Sequence, residues 1–301
     1  MPPTISVIIA TYYRNNLLSE AIESVANQDY EPVELVVVDD SGAEHARSVL
    51  EANEDVVDRP IYRSTEGDWG AAYTTGIAAS TGEYVQFLDD DDLLLDGKLT
   101  KTAAVLGENP DVGVSYCGVL KEDEKYYPNP DVAGDILEHA LRFQDFPLWT
   151  GSMLMERDVL IDCLPLATNA GDPDLKIELA KRTEFDYVDE CLAVYRREAS
   201  SKWVGLKKFE EVMRVVQNQK ELYDQYPEIR RSVFADWYEK QGKAYLKQRP
   251  WSPRATLCFA KSAYYDDENR HIKAIEAATS VFGRLGLTTA SRVYAAARGS
   301  R

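Results

Sequence analysis

The densest chemical feature of this chain is Asp89-Asp90-Asp91-Asp92, four consecutive carboxylates that follow the strand-like run Glu83-Tyr84-Val85-Gln86-Phe87-Leu88. Carboxylates this close repel one another unless water or a cation compensates them. A hard divalent cation such as Mg2+ or Mn2+ takes oxygen ligands and commonly sits between one or two carboxylates and substrate phosphates. The carboxyl end of a strand is also where open α/β sheets place their ligands. Taken alone, the run reads equally well as a solvated acidic loop, the usual fate of a charge run.

The elements around it favour a site. Ser6-Val7-Ile8-Ile9-Ala10 is a short apolar run that ends at Thr11-Tyr12-Tyr13-Arg14. From Leu17 to Gln28 the spacing is helical, with Leu18, Ala21, Ile22 and Val25 on one face. Val33 to Val38 reads as a second buried strand, closed by Asp39-Asp40-Ser41-Gly42, and Ala43 to Glu51 as a second helix. Arg59 to Arg63 is a candidate third strand. Trp69 to Ser80 is helical in pattern, with Gly82 placed to end it as a C-terminal glycine. Strands alternating with helices predict a parallel sheet flanked by helices. In such a sheet the carboxyl ends share one edge, so Thr11-Tyr12-Tyr13, Asp39-Asp40 and the acidic run are expected to converge on one cleft.

These segments, in this order, resemble the inverting glycosyltransferases of family 2, which have the GT-A fold. The resemblance rests on the first strand through Arg14, on Val36-Val37-Val38-Asp39-Asp40-Ser41, on Gly70 to Ala79, on Gly82-Glu83-Tyr84-Val85 and on Phe87 to Asp92, and it extends more weakly to Tyr195-Arg196-Arg197. It implies an α/β fold of Rossmann-like type, with a mostly parallel central sheet. It also implies that Ala10, Thr11, Tyr12, Arg14, Asp40, Asp89 and Asp90 hold a sugar nucleotide, with Tyr12 stacking on the base and Asp40 accepting a hydrogen bond from base or ribose. Asp89 and Asp91 match the two acids of the family's D-x-D motif. Asp91 is then the metal ligand, Asp89 a second ligand or a ribose contact, and Asp90 and Asp92 their supports. Read without the resemblance, Tyr12 is a packing residue, and Asp39 and Asp40 are turn or cap residues. The chain departs from the family in having Tyr13 where Asn is usual, and Tyr73 and Thr74 where an Arg-Asn pair is usual.

On the acceptor side, Leu148-Trp149-Thr150-Gly151-Ser152-Met153-Leu154-Met155 resembles the family's strand behind the acceptor, and Ala170 to Ala180 the segment that presents the catalytic base. Asp172 aligns with the base and Asp174 is the reserve, while Gly171 stands where the family has a first acid. Asp172 also suits a helix N-cap, because Pro173 and Asp174 fit a first turn. Trp149 is either an acceptor-stacking ring or a core residue. Arg196 or Arg197 is a candidate to neutralise the leaving diphosphate; Glu198 stands where the family often has His. Together these imply metal-assisted direct displacement, in which a carboxylate takes the acceptor hydroxyl's proton. The competing two-carboxylate chemistry of glycoside hydrolysis has no need of an acid cluster beside a nucleotide pocket. A glycosyltransferase-like binding module without turnover is the alternative, favoured by Gly171 and the missing Arg-Asn pair.

The composition bounds the rest. The 301 residues carry 51 acids against 34 Lys and Arg, a formal net charge of −17, which argues against nucleic acid as a partner. Cys117, Cys163, Cys191 and Cys258 show no metal or disulfide spacing, and His45, His139 and His271 are scattered. With no basic segment ahead of the first apolar run and no run long enough to span a bilayer, the expectation is a cytoplasmic enzyme without a signal peptide. The expected organisation is a catalytic domain over residues 1–204, divided into a nucleotide-sugar half (about 1–115) and an acceptor half (116–204), followed by a helical C-terminal extension over 205–301. Within the extension, Gly242, Tyr245, Ala255, Phe259 and Ser262 have the spacing of one helical hairpin. Ile275 to Arg298 mixes apolar residues with Arg284, Arg292 and Arg298, a character suited to peripheral membrane contact and thus to a lipid-linked glycan acceptor, or equally to helix packing.

The acidic balance also suggests a halophilic source. At molar salt, screening acts over only ~3 Å, so repulsion between surface acids largely vanishes. The melting temperature is therefore expected to rise substantially between dilute buffer and molar KCl; a flat or falling curve removes the halophilic reading.

Overall fold

The computed structural model describes residues 1–65, 67–167, 171–196 and 204–289, the last span with backbone only for 204–207. It divides into two compact units, Met1–Ala199 and Ser200–Arg301.

The first unit opens with β1 (Ile5–Thr11), α1 (Asn15–Ala26), β2 (Val33–Asp39), α2 (Arg47–Ala52), β3 (Arg59–Tyr62), α3 (Trp69–Ala79) and β4 (Tyr84–Asp89). The four strands lie in the order β3-β2-β1-β4, all parallel. The register sets Ala10 between Val38 and Asp89, and Thr11 opposite Asp39. Three polar strand ends are thereby brought to one edge. The apolar face read from sequence packs α1 onto this sheet, with Leu18, Ala21, Ile22 and Val25 all buried.

The chain continues through β5 (Leu93–Leu94), α4 (Lys98–Glu108), β6 (Val112–Lys121), β7 (Glu124–Tyr126), α5 (Leu137–Arg142), β8 (Met153–Glu156), α6 (Arg157–Ile161), α7 (Gly171–Ala180) and β9 (Glu184–Tyr195). The sheet extends as β4-β8-β6-β9-β5, with β7 paired to β6. Here β8 runs antiparallel to both β4 and β6, while β6 and β9 are parallel. The α/β sheet is thus parallel in its first half and mixed in its second.

The amino edge of the parallel half is clamped by Glu34. Its carboxylate accepts hydrogen bonds from the Ser6 hydroxyl (2.6 Å), the Thr81 N–H (2.7 Å) and Arg59 Nε (2.8 Å), tying together β1, β3 and the turn before β4. Gly82 completes the clamp. It does not act as a helix C-cap: α3 ends at Ser80 in extended geometry. Instead a Cβ on Gly82 would lie 2.6 Å from the Thr4 carbonyl and 2.7 Å from the Ser6 nitrogen, so only glycine allows this close approach. Gly76 serves α3 in the same way, since its Cβ would meet Ile8 Cγ2 at 2.3 Å.

The second helix is shorter than the expected Ala43–Glu51. Glu44 has φ of +54°, which helix cannot contain, and the backbone N–H groups of Ser41 and Ala46 are taken by the Asp39 carboxylate at 2.9 and 2.8 Å. Asp172 lies in the first turn of α7, next to the left-handed Gly171 (φ +63°).

The described part of the second unit is helical: α8 (Val204–Asn218), α9 (Lys220–Tyr223), α10 (Pro227–Gln248), α11 (Pro253–Tyr265) and α12 (Arg270–Ser280). Pro227 and Pro253 occupy first turns, where their missing N–H costs nothing, and Ser252 caps α11 by accepting from the Ala255 N–H. A Cβ on Gly242 would lie 3.0 Å from the Phe259 ring, so this glycine lets α10 and α11 pack as the hairpin its spacing suggests. Among the described residues no helix is long and apolar enough to cross a membrane. Arg292, Val293, Tyr294 and Arg298 of the basic, apolar segment lie outside the described residues.

The Glu34 clamp gives a test. Burial pushes its carboxyl up, but the bonds from Ser6, Thr81 and Arg59 outweigh this and leave it below its ordinary value. A depressed carboxyl contributes stability above its unfolded value, near 4.5, and that contribution is lost as pH falls through the folded value. Glu34→Gln is expected to cost roughly 1–3 kcal/mol near pH 7. In urea melts the gap between variant and wild type should narrow below about pH 4.5, the unfolded value.

Candidate active site

The acidic run is held open rather than collapsed. Asp89 ends β4, and the Asp92 N–H turns back to the Asp89 carbonyl at 3.0 Å. Asp90 is buried and fully engaged: it accepts from the Thr11 hydroxyl (2.7 Å), the Tyr12 N–H (3.2 Å) and Arg14 Nη1 (2.8 Å). Arg14 also reaches Asp91 at 3.2 Å. Asp92 accepts the Arg196 N–H on Oδ1 at 2.9 Å, and Arg196 Nε donates to the Asp91 carbonyl.

One oxygen from each of Asp89, Asp91 and Asp92 lies within 4.8 Å of the other two. Burial and the neighbouring Asp91 push Asp89 up to about 7, with the Tyr73 hydroxyl pulling the other way. Burial and Asp89 push Asp92 up to about 8. The Oδ2 atom of Asp92 is buried and takes no well-formed hydrogen bond, although the Trp149 indole lies close enough to pull the carboxyl back down. Three carboxylates this close, one of them buried, are costly without a cation, so the donor set fits a hard divalent ion. Asp92 therefore belongs to the cluster itself, and not only to its support.

Two features of this site lacked a sequence signal. Tyr73 is fully buried, stacks on Phe87 (ring centroids 4.2 Å apart) and donates its hydroxyl to Asp89 at 3.0 Å. A tyrosine inside an apolar helix gives no hint that its hydroxyl meets a strand end sixteen residues on. The backbone grip of Arg196 on Asp92 is equally invisible, because it is set by the pairing of β9 with β5.

The other candidates divide. Ala10 lies half-buried beside Asp89, and Thr11 is buried with its hydroxyl committed to Asp90. Tyr12 is exposed, its ring edge-on to Tyr13 at 4.8 Å. Tyr13 itself is left-handed (φ +58°), a conformation that asparagine adopts more easily than tyrosine; it donates to the Ser41 carbonyl at 3.1 Å. Asp40 points inward: it pairs with Arg63 and accepts from the N–H groups of Gly67 (3.0 Å) and Asp68 (2.9 Å), so it fixes the turn that leads into α3.

On the acceptor side, Thr150–Ser152 is a single 3-10 turn, and the strand begins only at Met153. Trp149 is buried, edge-on to Tyr195 at 5.1 Å, with its indole N–H unpartnered. Asp172 is partly exposed, whereas Asp174 is buried. Asp172 is near enough to Asp89 to help raise it. Behind Asp172 sits Lys176, a buried lysine that the sequence reading does not single out. Its ammonium lies 2.7 Å from Asp145, 3.0 Å from the Leu148 carbonyl and 3.5 Å from Asp172. Arg196 also pairs with Glu20, so it is a clamp across the cluster. Arg197 and Glu198 lie outside the described residues.

Comparison with known proteins places this arrangement. The model of a family described as glycosyl transferase family 2 matches residues 6–164. An uncharacterized glycosyltransferase of Nostoc sp. is 32% identical over 173 residues, covering 54% of this chain and 53% of that protein. The GalNAc(5)-diNAcBac-PP-undecaprenol beta-1,3-glucosyltransferase of Campylobacter jejuni is 36% identical over 101 residues, 33% of each chain. The match thus spans about half of the first relative and a third of the second. Among solved structures, S. aureus TarS 1-349 in complex with UDP-GlcNAc superposes with a TM-score of 0.68 at 16% identity, over 98% of this chain and 92% of that one. The mannosyltransferase PcManGT from Pyrobaculum calidifontis, in complex with GDP-Man and Mn2+, gives 0.60 at 18% identity, over 99% and 86%. At these identities the structures show the fold.

The acid cluster predicts a metal-dependent stability. Asp91→Asn should melt at or above the wild type in metal-free buffer, because one repelling charge is gone. With Mn2+ and a nucleoside diphosphate at a hundredfold over Kd, the wild type should gain about 2.7 kcal/mol and the variant far less. Equal thermal shifts in both would remove Asp91 as a ligand.

Proposed function

The chain belongs to glycosyl transferase family 2, and from that premise we propose that it moves a sugar from a nucleoside-diphosphate donor to a hydroxyl acceptor in one inverting displacement. The observation that carries this reading is the group of Asp89, Asp91 and Asp92, one carboxylate oxygen of each within 4.8 Å of the others, with the partly exposed carboxylate of Asp172 within electrostatic reach. Neighbours of the same fold hold UDP-GlcNAc, or GDP-Man with Mn2+, which supports a sugar-nucleotide donor here.

Asp89, Asp91 and Asp92 would hold Mg2+ or Mn2+, which supplies Lewis-acid compensation of the diphosphate charge. Tyr12 offers its exposed ring to the base. Ala10 and Thr11 form the floor, and Asp40 shapes the pocket through the turn it fixes. Asp90 holds Thr11, Tyr12 and Arg14 in place, so the nucleotide side is pre-set before binding. The acceptor oxygen forms its bond to the anomeric carbon from the face opposite the diphosphate, whose oxygen leaves with the electron pair of the broken bond. The acceptor proton passes to Asp172, which Lys176, itself anchored by Asp145, keeps oriented. Trp149 and Tyr195 wall the acceptor side. The name of the Campylobacter relative supports a lipid-linked glycan as acceptor.

A binding module without turnover is the second reading. It is favoured by Gly171 in place of an acid and by Tyr73, whose hydroxyl occupies Asp89. Release of free nucleoside diphosphate in the presence of metal, donor and acceptor separates the two.

Asp172→Asn keeps the side-chain size but cannot take a proton. Transfer is expected to fall roughly 10²-fold or more, with donor affinity unchanged. If Asp174→Asn is the inactive variant instead, the base lies two residues on; if both are active, α7 does not present it.

A further inference from the structure

We propose that one end of the helical unit is a docking surface for an anionic lipid bilayer. The inference is independent of the transfer reading. It rests on a rigid apolar knuckle that two separate turns build together. The Arg284 N–H donates to the Pro250 carbonyl (2.8 Å), Arg284 Nε to the Leu246 carbonyl (3.1 Å) and the Trp251 indole N–H to the Val281 carbonyl (2.9 Å). Gly283, at φ +69°, allows this contact, since a Cβ there would lie 2.2 Å from the Pro250 carbonyl oxygen. The turn between α10 and α11 is thereby fastened to the turn after α12.

The fastening holds large apolar side chains in water. Trp251 is 58% exposed, Val281 54%, Phe282 76% and Leu285 82%. The indole is fixed by its own hydrogen bond, so its exposure is built into the fold.

The charge around the knuckle inverts that of the chain. Residues 242–257 and 277–289 carry Lys243, Lys247, Arg249, Arg254 and Arg284 and not one Asp or Glu, in a protein with 51 acids. The nearest acids along the helices are Glu239 and Glu276, and Glu239 is already paired with Lys243 and Lys273. Trp, Phe and Leu ringed by Lys and Arg is the chemistry that enters the headgroup region of an anionic leaflet. A zwitterionic surface would meet the apolar part alone, and an acidic chain of this net charge would be repelled from an anionic one everywhere else, so docking should be oriented.

The test uses the full chain in co-sedimentation with phosphatidylcholine vesicles, with and without phosphatidylglycerol. The wild type should sediment with the anionic vesicles, weakly with the zwitterionic ones, and less as salt rises. Trp251→Ser/Phe282→Ser/Leu285→Ser and, separately, Arg249→Glu/Arg254→Glu should each lower anionic-vesicle affinity roughly tenfold or more, since each basic residue near such a surface contributes on the order of a factor of five. The charge-reversal variant alters only exposed side chains and should keep the wild-type melting temperature, whereas the triple variant also loses the Trp251 bond to Val281 and should melt lower. Should the triple variant not fold, the charge-reversal variant decides. The proposal is overturned if the wild type ignores anionic vesicles, or if a folded variant binds them as the wild type does. It is also overturned if the wild type is a dimer that the triple variant dissolves while vesicles are ignored, which would assign the knuckle to a second copy of the chain.

Discussion

Mutual repulsion among Asp89, Asp90, Asp91 and Asp92 is the constraint around which the catalytic unit is arranged. Four adjacent carboxylates at a strand end would scatter unless each met its own compensation. The structure supplies different partners to different members. Asp90 is absorbed by Thr11, Tyr12 and Arg14 from the β1 end, Asp89 by Tyr73 from α3, and Asp92 by the backbone of Arg196 at the end of β9. What is left over is one oxygen each from Asp89, Asp91 and Asp92, all within 4.8 Å of one another. Local stability is given up where charge from outside the chain can restore it.

The two edges of the parallel strands divide the labour. At the amino edge Glu34 uses all its hydrogen-bonding capacity inward, and the result is rigidity. At the carboxyl edge the same residue class is left partly unsatisfied. On the acceptor side the buried Lys176 mediates between these extremes: its pairing with Asp145 is close, at 2.7 Å, and its contact with Asp172 looser, at 3.5 Å. A carboxylate held loosely by a lysine that is itself held tightly stays aligned and still accessible.

Periodicity exposed what depends on one chain segment at a time. The stripe of Leu18, Ala21, Ile22 and Val25 was readable because a helix repeats its contacts every three or four residues, and the strand ends were readable because apolar runs stop where the sheet does. The placement of Tyr12, Asp89 and Asp91 at one edge followed from parallel order. Contacts between distant segments were not readable. Tyr73 to Asp89 depends on how deep α3 sits, and Lys176 looks like any surface lysine until α7 is turned toward Asp145. Lys98, equally ordinary in sequence, is wholly buried against Gln86, where burial pulls its ammonium down to about 8. The helix expected from Ala43 failed for a related reason, since the Asp39 side chain outcompeted the helix for backbone N–H groups. The antiparallel insertion of β8 between β4 and β6 likewise leaves no mark on local composition.

Gly76 works as a spacer of zero thickness. With Ile8 Cγ2 where its own Cβ would be, α3 rests directly on β1, and Tyr73, one turn earlier, is brought down to Asp89. A single methyl group at position 76 would lift the helix and withdraw the hydroxyl, so a change of volume in an apolar contact would be transduced into a change of acidity at Asp89. The tuning of this site is thus written partly in steric code, at a residue that has no functional group at all.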